Sequence, residues 1–179
     1  IADHYGIRVL GPNCLGVINT FHDMNATFTS NYPQKGPLAI ISQSGAICTT
    51  ILDWNQETHV GFSRFVSVGN KADVDEADLI EYIGRDDETS VIGMYIEGAE
   101  RGKAFMEKAK EASRRKALVT LKSGRSSSGA RAASSHTGSI SGSDDIWEAA
   151  MEQAGVLRAK DMDELFDYCL AFSKMEVPG

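Results

Sequence analysis

At 179 residues, with 42% hydrophobic and 24% charged side chains, the chain is long enough for one globular domain and a piece of a second. A net charge of −7, with no basic face outside one loop, argues against a nucleic-acid-binding protein. No apolar run reaches the roughly 18 residues of a membrane span, and no signal-peptide pattern is present; the start at Ile1 reads as a cut from a longer protein.

The first short apolar run, residues 7–10, predicts a strand ended by Gly11-Pro12-Asn13, and residues 21–35 read as connection. From residue 38 onward, short apolar runs alternate with helical patterns. Strands are expected at 38–42, 62–68, 91–96, 117–121 and 156–159. Helices are expected at 45–57, 76–83 (Leu79, Ile80 and Ile83 on one face), 101–114 (Phe105, Ala109 and Ala112) and 144–154, the last ended by Gly155. A final helix from Asp161 carries Leu165, Cys169 and Phe172 on one stripe. Five strand–helix units in succession predict an α/β fold with a doubly wound parallel sheet, flavodoxin-like, in strand order 2-1-3-4-5. Residues 1–35 fall outside that repeat and are assigned to the tail of a preceding domain and its linker; residues 36–179 form the domain itself. Cys14, Cys48 and Cys169 lack metal-ligand spacing and read as small buried thiols of a reducing cytoplasm.

The most informative segment is 117–143, which holds no Asp or Glu despite the acidic balance of the whole. It carries Lys122, Arg125, Arg131, many hydroxyls, the glycines 124, 129, 138 and 142, and the sequence Ser134-Ser135-His136-Thr137-Gly138-Ser139. Long loops inside compact domains are commonly functional, and donors around one imidazole suit a phosphate held beside a nucleophile. In a doubly wound sheet ligands sit beyond the carboxyl ends of the strands at the switch point. That rule brings together Ser42-Gln43-Ser44-Gly45 after the first strand, Glu97-Gly98 after the third and the His136 loop after the fourth. A helix N-terminus over Ser44 and Gly45 suits phosphate, and Glu97 beside His136 would fix the imidazole tautomer. Each feature alone is weak: Ser-x-Ser-Gly is usually a capped turn, and a lone histidine is usually on the surface. Their convergence carries the functional reading. His4, His22 and His59 have no such setting and read as structural or exposed, and Trp54 and Trp147 as helix residues packed on the sheet.

Taken in order, Gly11-Pro-Asn-Cys-Leu-Gly16, Ile41-Ser-Gln-Ser-Gly45, Val68-Gly-Asn-Lys-Ala-Asp73, Tyr95-Ile-Glu-Gly98, Leu121-Lys-Ser-Gly-Arg125 and Ser135-His-Thr-Gly-Ser139 resemble the NDP-forming acyl-CoA synthetases. These include ADP-forming acetyl-CoA synthetases and are relatives of succinyl-CoA synthetase. The resemblance implies that residues from about 36 form the ligase domain, and that 1–35 are the exit of a CoA-binding domain. It implies the reaction acyl-CoA + ADP + phosphate to acid + CoA + ATP, by way of an acyl phosphate and a phosphohistidine. By the same resemblance His136 is the phosphohistidine and Glu97 its orienting carboxylate. Ser42, Gln43, Ser44, Gly45, Thr137 and Gly138 fall at the phosphate, and Asn13, Asn70 and Lys71 near CoA or substrate. The complete enzyme then uses CoA, ADP or ATP and Mg²⁺, with the CoA-binding and ATP-grasp parts in other domains or subunits. The fragment alone would bind no cofactor and would not turn over.

Two other readings stand beside this one. A regulatory acyl-CoA- or phosphate-binding module of a protein acetyltransferase would bind ligand without a phosphorylated intermediate. A serine hydrolase would use Ser44, Glu97 and His136, which follow the chain order of α/β-hydrolases, although Ser42 replaces the first glycine of the elbow.

Overall fold

The computed structural model describes residues 1–123 and 144–175. Seven strands form one sheet: β1 (Gly16–Asn19), β2 (Met24–Thr27), β3 (Lys35–Ser42), β4 (Phe62–Ser67), β5 (Val91–Ile96), β6 (Ala117–Lys122) and β7 (Leu157–Ala159). Among the described residues five α-helices flank it: α1 (Gly45–Thr58), α2 (Glu76–Gly84), α3 (Gly102–Ala112), α4 (Asp144–Ala154) and α5 (Met162–Lys174).

The sheet order is β2-β1-β4-β3-β5-β6-β7. This corrects the expectation of five strands. The five parallel strands, numbered among themselves, do run 2-1-3-4-5, and a two-stranded antiparallel extension is added at the β4 edge. Residues 7–10 form no strand, contrary to expectation. They are instead an extended segment pinned by Val74 N–H to Val9 O (3.1 Å) and Ala72 N–H to Gly11 O (2.8 Å). The stretch 21–35, expected as plain connection, contains β2. Residues 1–35 are therefore not wholly outside the sheet, because Val17, Ile18 and Asn19 pair with Val66, Phe65 and Arg64 of β4.

Strand β3 shows why the sheet is covered on both faces. Ala39 and Ile41 point into a core with Ile80 and Ile83 of α2, Phe105 and Ala109 of α3 and Met151 of α4. Leu38 and Ile40 point into a second core with Ile51 and Leu52 of α1 and Leu165 and Cys169 of α5. Alternate side chains of a strand face opposite sides, so a strand apolar at every position needs helices on both. Gly93 of β5 is required by this packing: a Cβ there would lie 2.8 Å from the Cys169 sulfur. Burial pushes the Cys169 thiol up to about 12, so it is a packing group rather than a nucleophile. Trp54 stacks on Phe166 at 4.5 Å, and Trp147 packs against Phe105 at 5.6 Å.

Helix ends follow local chemistry. Ser44 caps α1, and Asp161 caps α5 through Glu164 N–H at 2.9 Å. Asp75 and Asp78 form a reciprocal capping box on α2. His59 ends α1 in the left-handed conformation, and Gly155 (φ 67°) ends α4. His4 and His22 are exposed.

Asp75 also binds Arg101 through both carboxylate oxygens, at 2.5 and 2.6 Å. Burial alone would raise the Asp75 pKa; the Arg101 hydrogen bonds, with those from Asp78 and Ala77 N–H, outweigh it and hold the carboxyl below its usual range. A carboxylate with a depressed folded pKa contributes stability above its ordinary value near 4 and loses it as pH falls through the folded value. Arg101→Met is expected to cost about 1 kcal/mol at neutral pH, since Arg101 is half exposed. That difference from wild type should vanish as urea unfolding is repeated toward pH 2–3.

Candidate functional site at the carboxyl edge of the sheet

Strands β3 and β5 are neighbours, with Ile41 opposite Met94 and Ser42 opposite Tyr95, so their following loops emerge side by side. The chain leaves β3 to one helix layer and β5 to the other, which opens a crevice between the two loops. Ser42 is fully buried; its hydroxyl donates to Ser44 O (3.0 Å) and accepts from Ser44 N–H (3.1 Å), closing the turn. Ser44 Oγ accepts from Ile47 N–H at 3.4 Å. Gly45 and Ala46 are exposed at the start of α1, and nothing stands within 4 Å of where a Cβ on Gly45 would be. The first amide groups of a helix lack intrahelical acceptors and carry the positive dipole end, so this surface can receive an anion.

Gln43 ties the two loops together. Its Oε1 accepts from Glu97 N–H (2.7 Å) and Gly98 N–H (3.2 Å), and its Nε2 donates to Gly98 O (2.8 Å). The Gly98 carbonyl also accepts from Lys71 Nζ at 3.0 Å, and Lys71 pairs with Glu76 at 2.9 Å. The Glu76 side chain is only 2% exposed. Burial pushes its pKa up, against the pull of Lys71. Tyr95, half-buried beneath, has its phenol pKa raised by burial and by the Glu97 charge.

The turn after β4, which contains Gly69, forms the other wall. Asn70 N–H donates to Pro12 O at 2.9 Å, and Asn13 Nδ2 donates to Asn70 Oδ1 at 3.3 Å. Asn13 is thus brought from far along the chain to the adjacent pair Asn70 and Lys71, and Lys71 reaches the Glu97–Gly98 loop. Lys122 stands at the end of β6, 3% exposed, 5.9 Å from the Trp147 ring centroid, with its pKa lowered by burial. Counted in the sequence as a loop cation, it is a buried one. His136, Thr137 and Gly138 lie outside the described residues. Among the described residues no group of three or more His, Cys, Asp and Glu side chains is placed to hold a metal.

Sequence reasoning brought the 42–45 and 97–98 segments to one edge. It missed Glu76, whose signal was a Lys five residues upstream of a carboxylate that the helix turns inward. The serine-hydrolase alternative gains nothing from the geometry. Ser44 has ordinary extended dihedrals (φ −104°, ψ 119°) and its oxygen caps α1, whereas a nucleophile elbow is strained with its hydroxyl exposed.

The profile of succinyl-CoA ligase-like flavodoxin domains matches residues 35–172. The chain belongs to that family. This flavodoxin-like ligase domain is 50% identical over all its 179 residues to the ADP-forming acetate–CoA ligase I of Archaeoglobus fulgidus, of which it spans 26%. It is 49% identical over 177 residues to the alpha subunit of the ADP-forming acetate–CoA ligase I of Pyrococcus furiosus, of which it spans 38%. Among solved structures it superposes with a TM-score of 0.94 and 44% identity on the dinucleotide-forming acetyl-coenzyme A synthetase 1 of Candidatus Korarchaeum cryptofilum, in complex with phosphate and ADP. That match covers 99% of this domain and 39% of the other chain. The domain therefore spans about a quarter to two fifths of the length of these relatives. Among the described residues no helix is long and apolar enough to cross a membrane.

Proposed function

We propose that this domain is the phosphoryl-relay part of an NDP-forming acyl-CoA synthetase, an acid–thiol ligase that makes ATP from acyl-CoA, ADP and phosphate. The observation that carries the reading is the union of Glu97 and the open α1 N-terminus at one sheet edge through Gln43, in a chain half identical to an ADP-forming acetate–CoA ligase. Phosphate attacks the thioester and CoA leaves as thiolate, giving an acyl phosphate. A nitrogen of His136 then attacks phosphorus, and the P–O bond to the acyl group breaks with its electron pair leaving on the carboxylate. Glu97 accepts the hydrogen bond of the other ring nitrogen, which keeps the attacking nitrogen unprotonated. The α1 N-terminus at Ser44 and Gly45 takes the negative charge of the transferring group.

The loop bearing His136 would next carry the phosphoryl group to ADP on an ATP-grasp domain or subunit. Mg²⁺, bound there with the nucleotide, would offset phosphate charge. Residues 1–35 would bring the end of a CoA-binding domain onto this sheet, with Asn13, Asn70 and Lys71 on the CoA side. Three free thiols suit a reducing, cytoplasmic setting.

The test uses the protein with all its domains or subunits, incubated with γ-³²P-ATP. Acid-labile, alkali-stable label that maps to His136 and is discharged by ADP is the expected result. No label in a preparation that still binds acyl-CoA would move the domain to the regulatory, acetyltransferase-associated branch.

A further inference from the structure

We infer that Lys71, held by Glu76, and Gln43 are positioning residues that aim the Glu97 carboxylate; the inference rests on the proposed relay through His136. Glu97 follows the last residue of β5, where sheet pairing no longer fixes the backbone. Gln43 replaces that pairing: both lone pairs of its Oε1 and one Nε2 hydrogen are spent on the 97–98 backbone. The remaining freedom is a rotation of the Gly98 peptide. Lys71 restrains it further by donating to the same carbonyl at 3.0 Å.

Charge supports positioning over ligand capture. The Lys71 side chain is 12% exposed and that of Glu76 is 2% exposed, 2.9 Å away, so the pair is nearly neutral to an arriving anion. Two of the three ammonium hydrogens are already used. Lys71 also holds φ 54°, a left-handed conformation that side chains with a Cβ adopt only under strain. Such strain persists where the surroundings over-determine it. Here Asn70 N–H on Pro12 O and Ala72 N–H on Gly11 O fix the residues on both sides. The turn after β4 is thus a braced arm whose ammonium ends on the carbonyl of Gly98, next to Glu97 in the chain.

A double-mutant cycle in the complete enzyme tests this. Lys71→Met and Gln43→Leu are each made alone and with Glu97→Gln, and formation of the phosphoenzyme from acyl-CoA and ³²P-phosphate is timed by rapid quench. Each single change should slow phosphorylation roughly 10- to 100-fold, the cost of misplacing a reacting group by about an ångström. KM for acyl-CoA and phosphate should stay within about twofold, and the same changes should add less than about twofold in the Glu97→Gln background, where no carboxylate remains to be aimed. Lys71→Arg, which can still reach the Gly98 carbonyl, should recover part of the loss. Unchanged rates, a KM rise at constant rate, or equal losses in both backgrounds would each overturn the inference. If Lys71→Met fails to fold, the Gln43→Leu arm decides it alone. Absence of label in wild type would remove the relay and this inference together, whereas a labelled wild type with silent Lys71 and Gln43 variants removes only this one.

Discussion

His136→Ala should abolish ATP formation from acyl-CoA, by roughly 10⁴-fold or more, while Glu97→Gln should leave a rate roughly 10²- to 10⁴-fold below wild type. The two differ because one removes the atom that accepts phosphorus and the other only the group that orients it. Glu→Gln keeps volume and one acceptor oxygen but deletes the charge that favours the reactive tautomer. The half-reactions separate the roles. Phosphate-dependent exchange of CoA into acyl-CoA forms only the acyl phosphate, and it should persist in His136→Ala. Exchange between ADP and ATP needs the phosphohistidine and should be lost. If ATP formation survives His136→Ala, the phosphoryl acceptor lies elsewhere in the protein. If both exchanges vanish together, the alanine has damaged the site as a whole, and His136→Asn, closer in shape, becomes the informative variant.

Gly69→Ala should destabilise the fold by about 3 kcal/mol or more, a loss of roughly 6–12 °C in Tm for a chain of this length. Gly69 has φ +58°, and an added Cβ would stand 2.2 Å from Pro12 O and 2.6 Å from Asn13 O. Both neighbours are backbone, so no side chain can swing aside. The left-handed conformation itself adds about 1–2 kcal/mol for any residue with a Cβ. Relief means parting the 11–13 segment from the turn after β4, which breaks Asn70 N–H to Pro12 O and Ala72 N–H to Gly11 O. Because that turn carries Lys71 onto the Gly98 carbonyl, the Glu97 loop should suffer with it. Thermal unfolding checks the first statement, and the phosphoenzyme rate at a temperature where the variant is folded checks the second. A variant as stable as wild type would mean that the two segments do not meet as described.

The five parallel strands were legible because short, largely apolar runs alternate with helical patterns along the chain. Val91–Ile96 was read to the residue, and the other boundaries fell within one to three. The hairpin was not legible. Met24–Thr27 is only four residues and largely exposed, and β1 is four residues whose partner lies some 47 positions ahead. Residues 7–10 misled for the opposite reason: the apolar content of a strand is there, but backbone and side chains of the 72–74 turn take its place in the pairing, including Asp73 accepting from Val9 N–H at 2.7 Å. At the site, topology alone placed Gln43 beside Glu97. What Gln43 does there was hidden, since an amide clamping a neighbouring backbone leaves no pattern along the chain.

The β1–β2 hairpin has a consequence for how such a unit can be detached from its neighbours. Strand β4 is buried at every position, and its outer backbone edge is occupied by residues that precede the start of the family match at 35. A cut at 35 would strip that edge and leave the backbone groups of β4 unpaired, the kind of edge that recruits a second copy of itself. The seam along which this ligase unit can be parted, by a gene split or by a protease, therefore lies ahead of Gly16, and the stretch from 16 to 27 travels with the sheet it seals.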